Sequence, residues 1–269
     1  MSPRPAVGPL PAELRRRLAT AYLGRRCYFY PETDSTNDVA LALARAGEPE
    51  GTLVAANFQR RGRGRRTHTW VSPPGRDVLC SLILRPGGDA RDALPVALLV
   101  AMATSIALSK LLDVEVGVKW PNDVIASGGK LAGVLAESAS AGGALSHLVV
   151  GIGVNVNTRA GEFPPGLRLP AASCLTLTGS EWDRAFVLAD TVGTVESYYD
   201  RFRRDGFGPL ASAYESRLVQ RGRAVAFDSG GERVHALALG VGPDGALRVR
   251  LDRDGSEVSL YSEIVEVVE

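Results

Sequence analysis

The stretch from Glu115 to Asn157, EVGVKWPNDVIASGGKLAGVLAESASAGGALSHLVVGIGVNVN, decides the fold. Its apolar and β-branched residues fall into runs at 115–120, 123–126, 130–138 and 145–157. Only short polar turns separate them, among them Ser127-Gly128-Gly129 and Ala141-Gly142-Gly143. Turns that short join antiparallel neighbours, because a parallel return needs a crossover of about a dozen residues or more. Working outward, further strands are predicted at 27–30, 52–57 and 78–84. Helices are predicted at 11–23, 35–46, 92–112, 182–202 and 209–217. The second helix has Ser35 as its N-cap, Asp38 three positions on and a stop at Gly47. Helices packed on such a sheet make an α+β fold: a mixed, mostly antiparallel central sheet with flanking helices. From Gly222 the pattern changes to five short alternating strands, at 224–228, 234–239, 247–251, 257–260 and 264–268, which predict a small β-barrel. The expected organisation is a catalytic domain over 1–218, with residues 1–9 a disordered leader, and the small barrel over 219–269.

Composition narrows the function. The chain has 269 residues, is 45% hydrophobic and 23% charged, and carries a net charge of +1. That balance argues against a general nucleic-acid binder, which needs a basic face to displace counterions. No run of 18 apolar residues predicts a membrane span. The Pro-rich segment Met1–Leu10 lacks the apolar stretch of a signal peptide. Cys27, Cys80 and Cys174 are odd in number and widely spaced, which fits neither a disulfide framework nor a metal site and points to a reducing cytoplasm. One bias stands out. Of 31 basic residues only Lys110, Lys119 and Lys130 are lysines. A retained lysine in so arginine-rich a chain hints at a place that needs a compact ammonium.

Four segments carry candidate chemistry. Gln59 to Trp70 (QRRGRGRRTHTW) interleaves five arginines with glycines. Guanidinium forks hold phosphate and carboxylate, and glycine lets a backbone close over a ligand. The open alternatives are a solvated basic loop or a nucleic-acid contact. In Lys119-Trp120-Pro121-Asn122-Asp123 the proline breaks a strand and sets Asn122 and Asp123 at its junction with a loop, which is also common turn chemistry. In Gly129-Lys130-Leu131-Ala132-Gly133 a lysine opens an apolar strand. In Gly151-Ile152-Gly153-Val154-Asn155 two glycines inside a strand mark a bulge, a packing constraint or the close approach of a ligand.

Taken in order with Ser35-Thr36-Asn37, these segments resemble the biotin protein ligases, relatives by fold of the lipoate ligases and class II aminoacyl-tRNA synthetases. The resemblance spans residues 33–157, and an SH3-like C-terminal barrel agrees with it. It implies a two-step reaction: biotin and Mg-ATP form biotinyl-5′-AMP and pyrophosphate, and a lysine of a biotin carboxyl carrier protein domain then takes the biotin and releases AMP. ATP and biotin would be substrates, with Mg²⁺ carried on the phosphates. Lys130, Arg63, Arg65 and Asp123 would be catalytic. Ser35, Thr36, Asn37, Gln59, Gly62 and Arg63, with Lys130 and Gly133, would hold biotin. Arg65, Arg66, Trp70 and Asn122, with Lys130, Gly153 and Asn155, would hold ATP and the adenylate. The arginine loop would act as a lid, and the Pro-rich loop at 159–169 would fold over adenine.

The same resemblance implies a monofunctional enzyme. About 30 residues precede Ser35, too few for the winged helix of the members that repress transcription, so no DNA binding is expected. No membrane is expected as a partner, and the chain would be a monomer or a weak homodimer. Tyr261 stands where the family often has a basic residue. Three rivals follow: a lipoate ligase, a nucleic-acid-binding module built on Arg60–Arg66, and a non-catalytic homologue.

Overall fold

A computed structural model describes residues 9–66, 68–89, 92–141 and 144–268. Of the expected leader at 1–9, residues 1–8 lie outside the described residues, as do the two glycines of the Ala141-Gly142-Gly143 turn; Pro9 belongs to the first helix instead. In chain order the elements are α1 (Pro9–Arg17), β1 (Cys27–Tyr30), α2 (Thr36–Arg45), β2 (Leu53–Ala56), β3 (Val78–Leu84), α3 (Ala93–Leu112), β4 (Val116–Lys119), β5 (Asp123–Ala126), β6 (Gly129–Ala141) and β7 (Ala144–Val154). There follow α4 (Cys174–Thr178), α5 (Arg184–Asp205), α6 (Gly208–Glu215) and five C-terminal strands, β8 (Ala224–Ser229), β9 (Glu232–Val241), β10 (Leu247–Leu251), β11 (Glu257–Leu260) and β12 (Glu266–Val267).

The central sheet runs β1-β2-β3-β7-β6-β5-β4. The pair β1 and β2 is parallel, with α2 as its crossover, and every other pair is antiparallel. The predicted fold class therefore holds. Period-two alternation gives the sheet two different faces. One face, with Cys80, Leu82, Val134, Val150 and Ile152, packs into the main core with α3 and α5. The other carries Leu79, Ser81, Ile83, Val149, Gly151 and Gly153. There α2 covers Ile83 and Val149 through Ala40 and Ala44, and the remainder opens into a cavity. Helix α3 is long and apolar enough, by length and composition, to cross a membrane, contrary to the expectation from apolar runs, but 72% of its most apolar window is buried inside the protein.

Four expectations are corrected. The first helix ends at Arg17, not Leu23. The N–H groups of Ala21, Tyr22 and Leu23 donate to the Glu196 carboxylate on α5, at 2.6, 2.9 and 2.8 Å, instead of to helical carbonyls. The capping box at Ser35 does not form: Ser35 is the N-cap but its side chain caps nothing, and Asp38 pairs with Arg63 at 2.8 Å. The loop expected at 159–169 includes a 3₁₀ turn at Ala160–Glu162, and a short helix that was not expected, α4, capped by Ser173, follows it. The C-terminal strands form a sheet ordered β11-β10-β9-β8-β12. Among the described residues no pairing joins its edge strands β11 and β12, so the expected barrel is not closed; β12 has only two residues to offer.

The C-terminal sheet is keyed to the central one. Residues 217–219 cover the free edge of β4: the Val118 N–H donates to the Arg217 carbonyl at 2.8 Å, and the Val219 N–H to the Val118 carbonyl at 2.9 Å. Gln220, fully buried, accepts the Trp120 N–H through Oε1 at 2.6 Å. The Trp120 indole donates to the Gly245 carbonyl at 3.0 Å. The Lys119–Asp123 turn is thus held from behind by the C-terminal part of the chain.

Candidate active site

The open sheet face forms the floor of a cavity of roughly 330 Å³. Strand register sets one row across it: Leu79 on β3, Gly153 on β7, Gly133 on β6, Asp123 on β5 and Lys119 on β4. All five line the cavity. Gly133 and Gly153, expected at the biotin and nucleotide sites respectively, seat the Trp70 indole. A Cβ on Gly153 would lie 2.7 Å from that ring, and one on Gly133 would lie 3.0 Å from it. The Trp70 Nε1 is buried without a partner among the described residues.

At the β3–β7 side the lining is neutral and hydrogen-bonding. Gln59 Oε1 accepts from the Thr36 N–H at 2.7 Å and from the Thr36 hydroxyl at 3.0 Å. Both are single-acceptor contacts that fix the amide orientation and leave its NH₂ unused by Thr36. Ser81, buried beneath, contacts Thr36 Oγ1 at 2.8 Å and Asn37 Oδ1 at 2.6 Å. Asn37 Nδ2 donates to Glu137 at 2.7 Å. A Cβ on Gly151 would collide with the Asn37 carboxamide, so glycine there is required by close packing. Ser35, Thr36, Asn37 and Gln59 therefore come together as predicted, but Asn37 is tied into the wall. Ser81 and Glu137 were not expected; a serine inside the apolar run VLCSLIL was the available signal.

Lys130 reaches the middle of the floor. Its ammonium is 2.6 Å from the Asp123 carboxylate and 5.6 Å from the centre of a Trp70 ring. Asn155, also predicted, donates from Nδ2 to the Lys130 carbonyl at 3.1 Å and to the Ala172 carbonyl at 3.0 Å, so it braces the strand that bears Lys130. Asn122 donates to the Val134 carbonyl at 2.7 Å and is likewise a brace, at the edge of the cavity.

The arginine loop forms the opposite wall. Arg63 is committed to two carboxylates, Asp38 at 2.8 Å and Glu137 at 2.7 Å. These pairs pin the stem of the loop. Gly62 is not among the lining residues. Its carbonyl accepts the Trp70 N–H at 2.9 Å, and a Cβ there would strike the Trp70 carbonyl, so it lets the two ends of the loop meet. Arg66 donates to the Ser262 carbonyl at 2.8 Å and Arg65 to the same carbonyl at 3.4 Å. Burial and the neighbouring Arg66 charge lower the pKa of Arg65 from the usual arginine value. Glu263, Ile264 and Val265 complete the mouth, a contribution from the C-terminal strands that the sequence reading left open.

The lining carries Arg63, Arg65, Arg66, Lys119, Lys130 and Arg168 against Asp123 and Glu263; Arg63, Lys130 and Arg168 are ion-paired, and among the described residues Arg65, Arg66 and Lys119 are the lining cations without an ion-pair partner. Among the described residues no group of three or more His, Cys, Asp or Glu side chains could hold a metal. The donor set therefore fits a polyanion that brings its own cation, such as Mg-ATP, better than a resident ion.

Residues 29–155 match the Biotin/lipoate A/B protein ligase family. The biotin–(acetyl-CoA-carboxylase) ligase of Paracoccus denitrificans is 35% identical over 81% of this chain and 91% of its own length. That of Mycobacterium tuberculosis is 32% identical over 91% of this chain and 90% of its own length. The bifunctional ligase/repressor BirA of Bacillus subtilis is 31% identical over 95% of this chain and 78% of its own length. Among solved structures, the biotin protein ligase from Aquifex aeolicus in complex with biotin and ATP superposes with a TM-score of 0.78 at 26% identity, covering 91% of this chain and all of its own. The chain belongs to the biotin/lipoate A/B protein ligase family, and within it to the biotin protein ligases.

Proposed function

We propose that the chain joins biotin to ATP as biotinyl-5′-AMP and passes the biotin to a lysine of a biotin carboxyl carrier protein domain, with AMP as the other product, in the cytoplasm. The observation that carries this reading is one sheet face on which a neutral hydrogen-bonding pocket adjoins a cationic one, with Lys130 at the junction. The uncharged bicyclic head of biotin suits the pocket under Ser35, Thr36 and Gln59. Its carboxylate then lies toward Lys130.

The chemical obstacle is repulsion between that carboxylate and the α-phosphate. A fixed ammonium between them offsets it, and its effect grows as charge builds on the reacting oxygens. Lys130 is pre-positioned for this by Asp123, Asn155 and the Trp70 ring. Mg²⁺ arrives with ATP and neutralises charge on the departing phosphates. Trp70, flat against two glycines, offers a stacking surface for adenine. In the second step Asp123 is the carboxylate nearest the reacting carbonyl, suited to orient the incoming amine of the carrier and accept its proton.

ATP–pyrophosphate exchange with biotin, lipoate or octanoate tests the reading. Exchange with biotin alone is the expected result. Exchange with lipoate would move the chain to the sister activity, and no exchange with any acid would overturn the ligase reading.

The lid has its own test. Arg65 and Arg66 close the mouth by bonding to the Ser262 carbonyl, and an acyl-adenylate survives only while water is kept out. Arg65→Ala is expected to release free biotinyl-5′-AMP, seen as biotin on bystander lysines of an added unrelated protein. An intermediate retained as tightly as in the unaltered enzyme would refute the lid.

A further inference from the structure

Lys119 is the one charged residue of the Lys119–Asp123 segment to which the ligase reading gives no task. It lines the cavity and is only partly exposed. Among the described residues no carboxylate lies within ion-pair distance of its ammonium; Asp123, opposite it in the strand register, pairs with Lys130. Burial lowers its pKa, and the nearby Arg168 and Lys130 charges act in the same direction, against Asp123 and Glu266. An ammonium that has lost water without gaining a partner is held ready for an anion. Two of the three lysines in the chain face this cavity, in a protein that otherwise writes its positive charge as arginine.

The reaction geometry says which anion. In the ligase reading the carboxylate comes from the β3–β7 side, where Thr36 and Asn37 cover Ser81 and Gly151. Lys130 brings its side chain against Gly133 on β6. In phosphoryl and nucleotidyl transfer the attacking and leaving oxygens lie roughly in line across phosphorus. An attack that starts over β7 and meets phosphorus near β6 expels its leaving group over β5 toward β4. Lys119 stands there, two strand spacings or about 10 Å from the β6 axis and within reach of a lysine side chain. Arg168 lies beside it on the same wall, bonded to Glu266.

We infer that Lys119 is the docking cation for the pyrophosphate end of ATP and for the pyrophosphate that leaves. In the step concerned, a biotin carboxylate oxygen bonds to the α-phosphorus. The bond from that phosphorus to the α,β-bridging oxygen breaks, and its electron pair departs with pyrophosphate, toward the Lys119 ammonium. The inference rests on the ligase reading and gives Lys119 a part in the first half-reaction only, whereas Lys130 serves the carbonyl in both.

The test uses the full chain with Lys119→Gln and Lys119→Arg, each checked for an unchanged melting temperature. Lys119→Gln is expected to raise the KM for Mg-ATP and to weaken inhibition by pyrophosphate about ten- to a hundredfold, the loss of one charged hydrogen bond. Biotin affinity is expected to stay the same. Transfer from presynthesised biotinyl-5′-AMP to hydroxylamine is expected to stay the same too, since no pyrophosphate takes part. Lys119→Arg, which keeps the charge, is expected to retain most of the pyrophosphate affinity. Unchanged Mg-ATP and pyrophosphate constants in Lys119→Gln would overturn the inference, as would a transfer step that falls in proportion to adenylation. If the unaltered chain shows no biotin-dependent exchange, the ligase reading itself fails; if it does, and Lys119→Gln binds pyrophosphate normally, only the role of Lys119 fails.

Discussion

The Lys130→Ala enzyme is expected to lose about two to three orders of magnitude in biotin-dependent ATP–pyrophosphate exchange, roughly 3–4 kcal/mol of transition-state stabilisation. The reason is local. Lys130 is the cation at the meeting point of the neutral and cationic halves of the cavity, and its backbone is braced from below by Asn155. Removing the side chain leaves Asp123 facing the approaching phosphate as an unpaired negative charge, so the loss combines an absent attraction with a new repulsion. Transfer from presynthesised biotinyl-5′-AMP is expected to fall as well. The melting temperature is expected to change little, because the Lys130–Asp123 pair is partly solvated, with side chains 31% and 20% exposed, and such pairs contribute little to stability. Exchange within a few-fold of the unaltered enzyme would remove Lys130 from the chemistry.

The second large effect falls on stability. Asp77 is 1% exposed and ties two other segments to the start of β3. Its carboxylate accepts from the Ser72 hydroxyl at 2.6 Å, the Thr158 hydroxyl at 2.7 Å and the Val156 N–H at 2.8 Å. Ser72 follows the arginine loop and Val156 follows Asn155, so one carboxylate sets the spacing between lid and floor. Asp77→Ala strands three buried donors, and the expected cost is about 3–5 kcal/mol, since each unsatisfied buried group costs about 1–3 kcal/mol. For a protein of this size that is a drop in melting temperature of roughly 10 °C. Asp77→Asn is expected to recover most of it. The asparagine oxygen can still accept from Val156, and the two hydroxyls can rotate to accept from the new NH₂. A thermal melt of both variants checks this. An Asn variant as unstable as Ala would show that the charge, not the hydrogen-bond count, holds the three segments.

How far the sequence could be read follows from which interactions are local. The 115–157 meander was legible because turn length and period-two alternation specify antiparallel pairing without knowledge of distant partners. Lys130, Asp123 and Gln59 were legible because each sits in a segment whose composition is odd for plain structure. The ion pairs of Arg63 were not legible because its two carboxylates come from α2 and β6, and no local pattern announces them. Gly62, Gly133 and Gly153 were correctly marked as places of close approach, yet what approaches is Trp70, another part of the same chain. The first helix was drawn too long because its apolar spacing continues past Arg17, while a carboxylate on α5 claims the next backbone N–H groups. Ser81 and Asp77 carried almost no signal: each is a single polar residue near an apolar strand, and its importance appears only when register places it under Thr36 or between two loops. The barrel failed to close for a similar reason. Strand propensity marks β11 and β12 as extended, but closure depends on two edges meeting.

The scarcity of lysine has a consequence for the chain as a target of its own product. An acyl-adenylate acylates amines, and guanidinium groups, charged at any working pH, are poor nucleophiles. Lys119 and Lys130 lie within the cavity, the latter ion-paired, and Lys110 at the end of α3 is the one lysine side chain set out in solvent. A mixed anhydride that escapes the mouth finds, on the surface it has just left, a coat of arginines and a single amine side chain. Surface composition thus offers an escaped adenylate few amines on this enzyme, and leaves stray acylation to lysine-bearing proteins nearby.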